Sequence, residues 1–170
     1  MSETPITRPM PDELRLRVAR GPAALDLETF HRIARLRQEV FVVEQDCPYL
    51  DLDGRDLEPG TVQVWAEDAA GDIAAGLRIL SESDAVAPRF SIGRVVTAPD
   101  WRGRGIAGSL LRAAITECGE TPIQIHAQSY LTEWYAGFGF VTNGPEFLED
   151  GIPHTPMLRT PTSGDAAAND

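Results

Sequence analysis

The sequence predicts a mixed α/β fold with a largely antiparallel central sheet flanked by helices. Three observations carry that expectation. The hydropathy period alternates between two and 3.6, giving the order strand, helix, three-strand meander, helix, strand, helix, strand pair. A glycine-rich turn joins a strand to a helix at residues 90–118, in the middle of that order. No internal repeat is evident. At 170 residues the chain is long enough for a real core and reads as one domain over residues 13–159.

Taken in order, residues 1–12 hold three prolines among polar neighbours and are expected to be flexible. Leu14, Leu16 and Val18 alternate with Arg15 and Arg17, a half-buried strand. Asp26 is placed to cap a helix that carries Leu27, Phe30, Ile33 and Ala34 on one face and runs towards Glu39. The run Val-Phe-Val-Val-Glu-Gln follows it, then an acidic loop over residues 44–56. Residues 62–67 and 73–80 read as strands joined by a hairpin turn at 68–72. Residues 90–97, rich in β-branched and aromatic side chains, form the next strand, ended by Pro99 and Asp100. Beyond the turn, Ile106, Leu110 and Ala114 recur four apart, as do Leu111 and Ile115, so that run is a helix. A strand at 123–127, a helix at 130–138 stopped by Gly139, and short strands at Val141, Phe147 and 156–159 complete the domain. The tail, residues 160–170, has the composition of disorder.

Composition excludes several functions. Lys plus Arg is 15 against 26 Asp plus Glu, a net charge of −11, which disfavours a nucleic-acid backbone and favours cationic substrates. Every basic residue is Arg; without Lys there is no Schiff base, no pyridoxal cofactor and no P-loop. Cys47 and Cys118 form no CxxC and no secretory leader precedes them, so a reducing cytoplasm is expected. No apolar run approaches the roughly 20 residues of a membrane span. Asp51-x-Asp53-Gly54 tempts a calcium reading, but Tyr49 stands where an EF-hand needs its first Asp and Gly60 where it needs its final Glu. No metal is expected.

The turn reads Arg102-Gly103-Arg104-Gly105-Ile106-Ala107-Gly108. Its glycines let backbone approach a ligand, unpaired N–H groups open the following helix, and two arginines add positive charge. That combination asks for a pyrophosphate. A dinucleotide fingerprint fits poorly: five residues, 98–102, separate the strand from Gly103. The next strand also ends on Gln128 rather than the acidic residue that would hold a ribose.

Arg102, Gly105 and Ala107 also spell R-x-x-G-x-A. With the preceding strand, the proline, Trp101 and the following Ile106, Ala107, Leu110 and Leu111, this resembles the acyl-CoA loop of the GNAT acetyltransferases, [Q/R]-x-x-G-x-[G/A]. Residues 128–140 resemble the family's ending N-x-x-A-x-x-[F/L]-Y-x-x-x-G-F, with Tyr135 in the tyrosine place and Gly139-Phe140 closing it. Gln128 replaces the usual Asn and Leu131 the usual Ala. Residues 36–57, 92–96 (IGRVV) and 149–157 (EDGIPHTPM) resemble the ElaA-type branch. Together the resemblances cover residues 30–159.

They imply an acetyl-CoA-dependent N-acetyltransferase acting by direct transfer on a small-molecule or peptide amine, as a monomer or homodimer. The diphosphate would rest on the N–H groups of Arg104, Gly105, Ile106, Ala107, Gly108 and Ser109, beside Gly103, with Arg102 and Arg104 as counter-charges. The pantetheine would lie along Val95, Val96 and Thr97 like an added strand and meet the Gln128 amide. Tyr135 would protonate the departing thiolate; its bland alternative is an aromatic packed between Trp134 and Phe138. For the base, some family members use a Glu at the start of the central strand, where this chain has Ser91. Glu44, Asp53 and His154 are the candidates, and a water chain is another route. A non-catalytic acyl-CoA sensor is the alternative to an enzyme.

Overall fold

A computed structural model describes residues 8–82 and 89–161. The expectations for residues 1–7 and 162–170 lie outside the described residues. Of the stretch expected to be flexible, Met10 packs against the core, and Leu14 N–H closes a turn on Pro11 O at 3.0 Å.

Eight strands form one sheet in the order β1-β2-β3-β4-β5-β8-β6, with β7 also pairing β8. Strands β1 (Arg15–Arg20), β2 (Val62–Glu67), β3 (Ile73–Glu82) and β4 (Arg89–Thr97) run as antiparallel neighbours. Strand β5 (Ile123–Gln128) pairs parallel with β4 and antiparallel with β8 (Ile152–Arg159), and the short β6 (Val141–Thr142) and β7 (Phe147–Glu149) lie against β8. The mixed, largely antiparallel sheet expected from the element order is what forms.

Alternation along the strands sorts the core onto two faces. Val64, Leu77, Ile79 and Ile92 pack with Leu110, Leu111 and Ala114 of helix α2 (Ile106–Cys118). On the other face Trp65 and Ala19 pack against Ile33 of helix α1 (Leu27–Arg37), and Val96 against its Leu36. Asp26 caps α1 as expected: one carboxylate oxygen accepts the Thr29 N–H at 2.9 Å and the other its hydroxyl at 2.7 Å.

Three boundaries differ from the sequence reading. Helix α1 does not stop near Glu39 but widens into a π-helical segment, Gln38–Glu44. There Gln45 N–H reaches Val40 O at 3.0 Å and Cys47 N–H reaches Val42 O at 3.2 Å. β-Branched Val40, Val42 and Val43 crowd a regular turn, and the wider one accommodates them. The helix expected at 130–138 contracts to a 3-10 turn, Ser129–Leu131, followed by α3 (Thr132–Ala136). Gly139, at φ 87°, then turns the chain away. The last strand starts at Ile152 rather than at Pro156, with Pro153 across from Leu148 of β7 and Pro156 across from His126 of β5.

Candidate active site

The site begins where two strands part. β4 and β5 pair only at Phe90–Ile123 and Ser91–Gln124, although β4 continues to Thr97 and β5 to Gln128. An irregularity in β4 drives the separation. Gly76 faces Val96 and Arg78 faces Gly93, so β4 carries one residue more than β3, and Arg94 adopts φ 55°. A non-glycine residue in that region is held by its surroundings. Arg94 lies in an ion pair, Nε 2.8 Å from Asp51 Oδ1, reaches Asp53 Oδ2 at 3.3 Å, and stacks over the Tyr49 ring at 5.4 Å.

Two cavities meet at this gap, one on each face of the sheet. The first, about 630 Å³, lies on the α2 side. Val95, Thr97, Arg102, Gly103, Gly105, Ile106, Ala107 and Gly108, all expected to hold cofactor, line it. Gly103 and Gly105 take φ 73° and 79°, values that a side chain would strain, and no side chain caps the α2 N-terminus. The donor set and the space suit a diphosphate with an extended arm.

Four expected cofactor residues are placed differently. Arg104 lies over the Trp101 ring at 4.8 Å and 3.8 Å from Glu13, turned from the cavity. The Ser109 N–H donates to Gly105 O at 3.1 Å, so the helix already uses it. Val96 and Gln128 line the second cavity rather than the first. Arg102 keeps its place, but both terminal nitrogens donate to Glu44 at 2.9 Å and its Nε donates to Thr97 O at 3.2 Å. A further arginine closes the cradle: Arg8 Nη1 donates to Gly103 O at 2.8 Å, with its stem against Gly105. A lone Arg in a proline-rich leader carried no sequence signal for that role.

The second cavity, about 800 Å³, opens on the α1 face. Register sets its floor: Arg78, Leu80 and Glu82 of β3 lie across from Gly93, Ser91 and Arg89 of β4, then Gln124, His126 and Gln128 of β5, then His154 of β8. Glu44, Asp53 and His154, the three candidate bases, all line it.

Their environments differ. Asp53 takes both terminal nitrogens of Arg78 at 2.8 Å, and these hydrogen bonds hold its carboxyl far below the usual range. Arg102 similarly lowers Glu44. The Asp51-x-Asp53 pair belongs to a buried ionic network. Arg37, 1 % exposed, donates to Asp51 at 2.9 Å and to Asp56 at 2.8 Å; Asp56 also accepts from Gln63 at 2.8 Å. His154 Nδ1 lies 2.8 Å from Ile152 O, an acceptor only, so Nδ1 carries the hydrogen and Nε2 the lone pair of the neutral ring. Glu149 Oε2 is 3.7 Å from that Nε2.

Tyr135 lines both cavities, at their junction, and burial pushes its phenol up to about 12. Trp134 and Phe140 pack edge-on against it, with ring centroids 4.8 and 5.9 Å away. Glu82 was missed by sequence reasoning. It accepts the Ser91 hydroxyl at 2.6 Å, bringing a carboxylate beside the start of the central strand from the neighbouring strand.

A cofactor-sized cradle and a polar cavity joined through parted strands define an acyl-CoA-dependent transferase. A sequence model described as an acetyltransferase (GNAT) domain matches residues 38–160, and the chain belongs to that family. It falls in the ElaA-type branch: ElaA of Escherichia coli is 35 % identical over 141 residues, 79 % of this chain and 90 % of that one. A UPF0039 protein of Mycobacterium tuberculosis is 50 % identical over 140 residues, covering 82 % and 89 %. The crystal structure of E. coli ElaA superposes with TM-score 0.79 at 30 % identity, over 86 % of this chain and 99 % of that one. An acyl-CoA N-acyltransferase from Pseudomonas aeruginosa gives the same score and coverage at 37 % identity.

Proposed function

We propose that the protein moves an acetyl group from acetyl-CoA directly to a primary amine of a small molecule or peptide. One observation carries this reading: Tyr135 is the buried acid shared by a cavity shaped for the cofactor and a polar cavity on the opposite face. Direct transfer needs thioester and amine to meet at one point, and the gap between β4 and β5 is that point.

Each residue then has a task. The cradle at Gly103–Gly108 and the Arg8 and Arg102 guanidiniums hold the diphosphate. β4 N–H groups beyond Ser91, freed from pairing with β5, bind the pantetheine arm. One of them takes the carbonyl oxygen as charge develops there, a contact worth about 3–4 kcal/mol in such sites. His154 Nε2 receives the amine proton, with Glu149 beside it to stabilise the imidazolium. As the C–N bond forms and the C–S bond breaks, Tyr135 gives its proton to sulfur and regains one from solvent. The arginines bound to Asp53 and Glu44 stabilise those carboxylates as anions and lower their proton affinity.

Tyr135→Phe is expected to lower kcat by roughly 10²- to 10⁴-fold, with acetyl-CoA binding unchanged, in a free-thiol release assay. Full activity in that variant removes the acid assignment. If a broad amine panel yields no thiol while acetyl-CoA still binds, the protein is a sensor of acyl-CoA.

A further inference from the structure

Charge pairing in the second cavity is uneven. Arg55 is held by Glu58 and Glu82, Arg78 by Asp53 and Asp56, Arg94 by Asp51 and Asp53, and Arg102 by Glu44. Arg89 alone among the described arginines of that cavity has no carboxylate partner. Glu82, directly across from it on β3, is turned to Arg55 and Ser91. Arg89 Nη1 instead donates to the neutral Gln124 side chain at 2.9 Å, which orients the guanidinium and leaves its other nitrogens for a ligand. A guanidinium oriented by a neutral amide and without a carboxylate partner, on a cavity floor, suits an anionic ligand.

We infer that the acceptor carries a carboxylate, bound by Arg89, at the end of the cavity away from the transferred acetyl group. This rests on the acyl-transfer reading above. The −11 net charge favoured cationic acceptors, yet most of the cavity's carboxylates already face arginines and offer an amine little. Ammonium recognition falls to the His154 and Glu149 end. Gln128, opposite His154, is four residues along β5 from Gln124, about 13 Å at ~3.3 Å per residue. Between them the floor is His126 of β5, with Gly93 of β4 beyond Ser91, and nothing lies within 4 Å of where a Gly93 side chain would begin. An α-amino acid acetylated on its own α-amine is too short for that span. A short peptide or a long ω-amino acid fits it.

The test compares thiol release with ω-amino acids from glycine to aminooctanoate, their methyl esters, and di- and tripeptides, in the native protein and Arg89→Gln. The free acids should improve with length and exceed their esters by about 10- to 100-fold in kcat/KM, and Arg89→Gln should erase that advantage while leaving the esters alone. Arg89→Lys should recover part of it. Equal rates for acids and esters, or equal loss of both in Arg89→Gln, overturn the inference while acyl transfer stands. Calorimetric binding of the N-acetylated ω-amino acids with CoA present is measured alongside. If no amine turns over, the acyl-transfer reading fails, and an Arg89-dependent preference for the free acid over its ester still decides the anchor.

Discussion

Ser91 and Glu82 show how chemistry at the residue scale is shared between strands. A serine at the start of β4 brings no base, but its hydroxyl holds a carboxylate delivered from β3. Arg55 binds that carboxylate at 3.0 and 3.1 Å and lowers its proton affinity, so Glu82 serves better as a fixed charge than as a proton acceptor. The phenol is handled oppositely. Burial raises Tyr135 to about 12, which keeps its proton in place across the neutral and alkaline range where an amine acceptor is free base. Burial likewise lifts the Cys118 thiol to about 12. Both groups lose protons in the unfolded chain before they do in the native one, so stability falls as pH rises from the unfolded values towards about 12. Each contributes about 1.4 kcal/mol per pH unit across its window. Resistance to denaturant should therefore fall above pH ~9. Cys118→Ala should flatten that slope, and an unchanged slope assigns the loss elsewhere.

At the scale of elements, the acidic loop acts as a clamp. Asp51, Asp53 and Asp56 gather Arg37 from α1, Arg78 from β3 and Arg94 from the irregular turn of β4. The clamp holds Arg94 at positive φ and so keeps β4 away from β5. Arg37→Ala takes one arginine partner from each of two buried carboxylates, Asp51 and Asp56, leaves them Arg94 and Arg78, and should cost about 3–5 kcal/mol, read by denaturant unfolding. Arg94→Ala should lower stability less, because Arg94 is partly exposed, and should raise KM for acyl-CoA if the bulge shapes the cleft. The turn before α2 makes a second element-scale case. Gly105→Ala puts a Cβ at φ 79° and 2.9 Å from the Arg8 stem. It should cost about 1–2 kcal/mol and weaken acetyl-CoA binding measured by calorimetry. Unchanged affinity would mean that the cradle does not depend on that conformation.

Over the whole molecule, the sheet separates two cavities onto opposite faces and lets them meet at one gap. Saturating acetyl-CoA should stabilise the fold by about 2.7 kcal/mol at a hundredfold excess over Kd, seen as a raised Tm, whereas NAD at the same concentration should not. Much of this was legible along the chain. The strand-turn-helix at 90–118 and Tyr135 ahead of Gly139-Phe140 are local patterns, each contained in one stretch of sequence. The placement of Arg8, Glu82 and Arg89 along the cavity walls was not legible, since each depends on its neighbours in space: Gly103, Ser91 and Gln124. Likewise nothing local distinguishes Glu44 and Asp53 from free carboxylates. Arg102 and Arg78, which neutralise them, lie 58 and 25 positions further on.

Periodicity and glycine placement were enough, read alone, to determine the sheet with its helices and the glycine turn ahead of α2. Tertiary structure alone decided where β4 leaves β5, which charges cancel and which guanidinium remains unpaired. Backbone preference acts over a few residues, so a sequence displays it directly. Ion pairing and strand divergence depend on distances in space, and those exist only once the chain has closed on itself.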